Sequence, residues 1–135
     1  MHQRTLVIIK PDAVAKGDVD MIKERYRDAG LKIVRERAHR MNQRIARALY
    51  EAHKGKFFFE GLVLAMISGP SVMLELQGED AIRVVRNLNG ATDPAKAEAG
   101  TIRRDFRSAG GPFNTVHGSD SPEAAAREII VVFED

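Results

Sequence analysis

The chain contains no cysteine. Disulfides and thiolate metal sites are therefore excluded, and the absence suits a reducing compartment, so the expected location is cytoplasmic. Long apolar runs are missing too. Only Leu6 to Ile9 precede Lys10-Pro11-Asp12 near the N-terminus, too little for a signal-peptide core or a membrane span. Nor is there a marked excess of one charge: 21 Lys and Arg face 19 Asp and Glu, a formal net charge of +2. That balance admits anionic ligands without calling for nucleic acid as the main partner. No repeat, low-complexity tract or linker interrupts the 135 residues, which read as one domain with a single real core. Familiar phosphate and metal motifs are also absent. There is no G-x-x-x-x-G-K-[ST], since Gly55-Lys56 runs into phenylalanine, and no G-x-G-x-x-G or H-E-x-x-H. His2, His39, His53 and His117 are too scattered to nominate a metal site.

What is present centres on Asn114 to Glu128, NTVHGSDSPEAAARE. A histidine follows a short β-branched run and precedes a Gly-Ser-Asp-Ser turn. Ser121 then reads as an N-cap, with Pro122 at the first helical position and Glu123 in the first turn. His117 therefore lies just before a helix N-terminus, where free N–H groups and the helix dipole favour anions. A neutral imidazole there is suited to attack a phosphoryl group. Glu128, about two turns into the helix, is spaced to reach back and orient the ring. A loop histidine beside a well-capped helix is the other reading of this stretch.

The remaining pattern alternates strands and helices. TLVII at Thr5–Ile9 carries apolar residues on both faces and reads as a central strand, with Lys10 at its end facing either a ligand or solvent. Asp18 is expected to cap a helix running to Ala29, which Gly30 stops. The charged strand Leu31–Arg40 belongs at an edge or a seam between subunits. A helix follows from Asn42 or Gln43 to about His53. Phe57-Phe58-Phe59 cannot all face one core, so at least one should line a surface or a pocket. A helical segment at Gly61–Ile67, a turn at Ser68–Pro70, a strand at Ser71–Gln77 and a helix at Ala81–Asn89 come next. Gly90 to Phe113 is irregular, with helical hints at Pro94–Glu98 and Arg103–Phe106, and its arginines suit phosphate. Ile129–Phe133 reads equally as a strand or as continued helix. This order predicts an α/β (α+β) fold, a ferredoxin-like β-α-β-β-α-β core whose four-stranded antiparallel sheet is flanked by helices.

Several stretches together resemble the nucleoside diphosphate kinase family. They are TLVIIKPDAV, Phe58 to Leu62, the Ser68–Pro70 SGP, RNLNGATDP at Arg86–Pro94, GTIR at Gly100–Arg103 and, above all, NTVHGSDS. The resemblance runs over nearly the whole chain in the family's order. It implies a ping-pong transfer of the γ-phosphoryl group from a nucleoside triphosphate to a diphosphate through a phosphohistidine at His117, supported by Glu128 and Ser119. Lys10 and Asn114 would bond the ribose hydroxyls, with Lys10 also near the transferring phosphate and Tyr50 close by. Phe58 would stack on the base above Leu62, while Arg86, Thr92 and Arg103 would clamp the phosphates. Mg²⁺ would arrive with the nucleotide, held by phosphate oxygens and water, with no protein metal site. Stacking on a π-face implies broad base specificity. The family's dimers build homo-oligomers, tetramers or hexamers. This chain departs from the family pattern at Phe57, where proline is common, at Glu60 and Arg104, and in RSAGGPF at Arg107–Phe113.

Overall fold

A computed structural model describes residues 1–134. Strand β1 (His2–Ile9) is followed by helices α1 (Pro11–Ala15) and α2 (Val19–Asp28), strand β2 (Lys32–Arg40), and helices α3 (Gln43–Leu49) and α4 (Phe59–Met66). Strand β3 (Pro70–Glu79), helices α5 (Ala81–Asn89) and α6 (Ile102–Asp105), strand β4 (Val116–Gly118) and helix α7 (Pro122–Phe133) complete it. The four strands lie in the order β2-β3-β1-β4, and every neighbouring pair is antiparallel. This is the four-stranded antiparallel sheet with flanking helices that the element order predicts.

Alternation along β1 explains its unbroken apolar run. Leu6 and Ile8 face a core shared with α3, α4 and α7, while Val7 and Ile9 face a second core under α1, α2, α5 and α6. A strand covered on both faces needs no polar side, because successive side chains point to opposite faces. Charged β2 is an outer strand, as its composition suggests, and a register shift between Ile33 and Arg35 bends it.

Most local starts and stops follow from the sequence, although the helix expected to reach about His53 ends at Leu49 and gives way to a 3-10 turn over Glu51–His53. Ser121 Oγ accepts from Ala124 N at 3.0 Å and Asn42 Oδ1 from Ile45 N at 2.8 Å, so both helices start on side-chain caps. Asp18 occupies the N-cap position of α2, as expected, but its side chain makes no cap hydrogen bond; its carboxylate lies 3.5 Å from Lys16 Nζ instead. Lys10-Pro11-Asp12 does not simply end the strand either. Proline at a first helical position opens the short helix α1. Ile129–Phe133 continues α7, since Ile129 and Val132 recur at helical spacing and enter the core.

Gly90 ends α5 at φ 84°, and a Cβ there would come within 2.6 Å of Thr101. Gly90→Ala should therefore lose about 2–4 kcal/mol to overpacking and backbone strain together. Urea unfolding followed by circular dichroism checks this; an unchanged midpoint would count against it.

Candidate active site

Residues from stretches along most of the chain, from Lys10 to Glu128, converge to enclose a cleft of about 690 Å³. His117 comes from β4, paired with Ile8 of β1. Glu128 arrives from the second turn of α7, and its Oε1 lies 2.8 Å from His117 Nε2. A carboxylate acceptor puts the ring proton on Nε2 and leaves Nδ1 with its lone pair. No protein group among the described residues bonds to Nδ1. Ser119, fully buried, donates to the same Glu128 oxygen at 2.8 Å while its Oγ accepts from Leu6 N at 3.2 Å. The imidazole is thus aimed by a carboxylate that is itself held by the central strand.

The charge on Glu128 is maintained against its surroundings. Burial pushes the carboxyl up, but the His117 hydrogen bond and charge, the Ser119 hydroxyl and the Arg127 cation outweigh it and hold Glu128 below the usual carboxylate range. Tyr50, at the end of α3, stands edge-on to His117 with ring centroids 6.4 Å apart. Burial first, then the Glu128 charge, raises the Tyr50 phenol, which stays a proton donor.

The cations form the opposite wall. Lys10 is only 3% exposed, and its Nζ donates to Asn114 Oδ1 and to Pro112 O, both at 2.9 Å. Desolvation lowers its pKa to about 8; the Arg103 charge adds to the lowering and Asp12 opposes it. Arg103 of α6 donates to Asn114 O at 3.2 Å and to Gly90 O and Val116 O at 2.8 Å each. Three carbonyls thereby fix a guanidinium that retains further N–H groups for a ligand. Arg86 of α5 and Thr92 line the cleft with exposed side chains, and Asn114 Nδ2 reaches Thr92 O at 3.2 Å.

At the mouth, Phe58 and Leu62 form the remaining side, while Phe59 turns into the core. Ten of the eleven residues named from the sequence therefore line one cleft, and Ser119 lies behind Glu128.

Sequence reasoning missed four contributors. His53 fills the gap between Tyr50 and Phe58, with centroids 6.4 Å and 5.2 Å away. Arg127 joins α7 to the end of α3 by donating to Ala48 O at 3.1 Å. Thr115, at φ 76°, is the centre of a γ-turn closed by Val116 N donating to Asn114 O at 2.8 Å. Such a backbone costs on the order of 1–3 kcal/mol in a β-branched residue. It is held by Asp12 Oδ2, which accepts from Thr115 N at 3.0 Å, and by Lys10 N, which donates to Thr115 O at 2.9 Å. The one sequence signal was Asp12, a carboxylate directly after a buried strand.

Against known proteins, the family model for nucleoside diphosphate kinase matches residues 3–135. A nucleoside diphosphate kinase of Nitrosospira multiformis is 53% identical over 133 residues, covering 98% of this chain and 94% of the relative. One from Polynucleobacter necessarius is 52% identical, covering 97% and 92%. Among solved structures, the Aquifex aeolicus nucleoside diphosphate kinase superimposes with a TM-score of 0.94 at 39% identity, covering 98% and 96% of the two chains. The Halobacterium salinarum nucleoside diphosphate kinase, solved in complex with CDP, gives 0.94 at 40% identity, covering 100% and 90%. With an unpartnered imidazole nitrogen in a cation-walled cleft, and with these matches over nearly its whole length, the chain belongs to the nucleoside diphosphate kinase family, phosphotransferases that work by ping-pong exchange through a phosphohistidine.

Proposed function

We propose that residues 1–135 act as one catalytic unit, with His117 Nδ1 carrying the phosphoryl group between nucleotides. The Nδ1 lone pair attacks the γ-phosphorus of a nucleoside triphosphate, and the bond from phosphorus to the β–γ bridging oxygen breaks. The diphosphate leaves. A terminal oxygen of a second nucleoside diphosphate then attacks the phosphorus, the P–N bond breaks, and the imidazole is restored. Glu128 accepts the Nε2 proton's hydrogen bond throughout and stabilises the positive charge that the ring develops. Ser119 keeps Glu128 in place.

The other roles follow from charge and shape. Phosphoryl transfer requires mainly positioning and charge stabilisation. Arg86, Arg103 and the Thr92 hydroxyl take the phosphate oxygens. Lys10 reaches both a ribose hydroxyl and the transferring group, Asn114 supports the ribose, and Tyr50 donates toward the γ-phosphate. Phe58 stacks on the base over Leu62, which discriminates little between bases. Mg²⁺ enters as part of the nucleotide substrate; among the described residues no group of three or more His, Cys, Asp or Glu is gathered to hold a metal. The observation that carries the reading is the 2.8 Å bond from His117 Nε2 to Glu128, which turns Nδ1 into the available nucleophile.

Assembly and location belong to the same proposal. The outer edge of β2 has no strand partner among the described residues, so we assign it to the seam of a dimer that builds a tetramer or hexamer. No helix among the described residues is long and apolar enough to cross a membrane, and a cytoplasmic site of action fits the nucleotide substrates. Both sheet faces are covered by helices, which leaves no sheet platform for nucleic acid.

Incubation with γ-labelled ATP and Mg²⁺, removal of nucleotide and peptide mapping should place an acid-labile, alkali-stable label on His117 that chases onto GDP or CDP. No label despite bound ATP would end the reading. A pH prediction accompanies it. With its pKa lowered to about 8, Lys10 loses its charge as pH rises through 8, so kcat/KM should fall above that pH. Stability moves the other way: between about 8 and the ordinary 10.5, the unfolded chain binds a proton that the folded one has lost, so folding gains with pH. A Lys10→Met variant should lack the alkaline limb of the rate profile; retention of that limb would assign it to another group.

A further inference from the structure

We propose that Phe57 and Phe58 form a two-ring platform that favours purine over pyrimidine nucleotides. The inference rests on the kinase reading and concerns the selectivity of the same cleft.

The three consecutive phenylalanines have different fates. Phe59 is 5% exposed and belongs to the core, Phe58 is 38% exposed, and Phe57 is 98% exposed. A side chain that open contributes almost no burial to the fold, so its presence calls for another account. Phe57 nevertheless lines the cleft alongside Phe58. The two ring centroids are 5.4 Å apart with planes at 89°, an upright ring beside a flat one.

Phe58 has two neighbours at its ring. His53 packs against it with centroids 5.2 Å apart, and Lys56 Nζ lies 5.7 Å from its ring centroid. A base stacked on the free part of Phe58 therefore meets a ring already held by its neighbours. A pyrimidine is satisfied by that ring alone. The second ring of a purine extends past it and meets Phe57, with the edge-to-face geometry that aromatic pairs prefer. Phe57 is thus dewetted by a bicyclic base and left in water by a monocyclic one. The result is a graded preference within broad specificity, because the phosphate and ribose contacts are common to all substrates.

The test is calorimetric titration of the intact protein with ADP, GDP, CDP and UDP, repeated on Phe57→Ala and Phe57→Tyr, with kcat/KM for the same four acceptors. ADP and GDP should bind the wild-type protein more tightly than CDP and UDP. Phe57→Ala should weaken purine binding by roughly three- to tenfold, the range an aromatic pair supplies, and pyrimidine binding by less than about twofold. Phe57→Tyr should keep the preference. An equal change for all four nucleotides, or none, would overturn the platform. So would a loss of oligomer mass on Phe57→Ala with selectivity unaltered, which would assign the ring to a subunit contact. If the wild-type protein bound no nucleotide at all, the kinase reading itself would fall, and the platform with it.

Discussion

Replacing His117 by alanine should abolish phosphoryl exchange and leave a folded protein that accepts no acid-labile label from ATP. Loss of the nucleophile removes the covalent route outright, so turnover should drop by at least about 10⁴-fold. Nucleotide binding should persist, since the phosphate, ribose and base contacts proposed for this cleft are assigned to other residues. Stability should change mainly through Glu128. In the parent protein its folded pKa is lowered, so its contribution is present above the unfolded value of 4.5 and is lost as pH falls through the folded one. Without the imidazole, the burial that opposes ionisation goes largely unanswered, and that contribution should shrink. Denaturation at pH 4 to 7, together with labelling by γ-labelled ATP, checks both parts. Undiminished turnover in His117→Ala would refute the phosphohistidine.

Arg103→Ala should produce the second large effect, and on two properties at once. The guanidinium ties Asn114, Gly90 and Val116 together through their carbonyls at 2.8–3.2 Å, joining α5, the loop before β4 and β4 itself. Burial lowers its pKa, so the site carries the cost of desolvating this cation. Removing it leaves three carbonyls without a charged donor, a stability loss of about 3–5 kcal/mol. It also removes a fixed cation from the cleft wall proposed to hold the phosphates, which should reduce kcat/KM by about 10²–10³-fold. Arg103→Lys should recover little of either, because a single ammonium cannot reproduce the fork. Chemical denaturation and steady-state kinetics on both variants separate the two effects. Full activity in Arg103→Lys would show that charge alone suffices.

The two predictions draw on different kinds of information. The expectation for His117 was legible in the chain: histidine, turn, serine cap, proline and a glutamate two turns on are local signals, and the structure closes them into a 2.8 Å contact. The double role of Arg103 was not. Its type suggested phosphate, yet nothing in the one-dimensional pattern indicated that carbonyls from the end of α5 and from Asn114–Val116 would surround it. Helix α1 was missed because the proline that ends a strand also suits a first helical position. Asp18 sits at the N-cap position without a side-chain cap, because its backbone lacks the extended form that typically aims a capping side chain at the first turn.

By itself the sequence determined the pattern of apolar faces, and with it the antiparallel sheet between two helical layers. It also determined the family, through motifs kept in order along nearly the whole chain. These properties follow from period, turn chemistry and residue type, which are local. Only the tertiary structure decided that Ile129–Phe133 is helix, since a β-branched run takes whichever form buries it and α7 supplied the core position. It alone decided that Asp12 would hold the strained turn at Thr115 and that Phe57 would stand in water beside Phe58. Such contacts join residues that the chain keeps apart or sends to different sides, and their energies exist only once the packed core has brought them together.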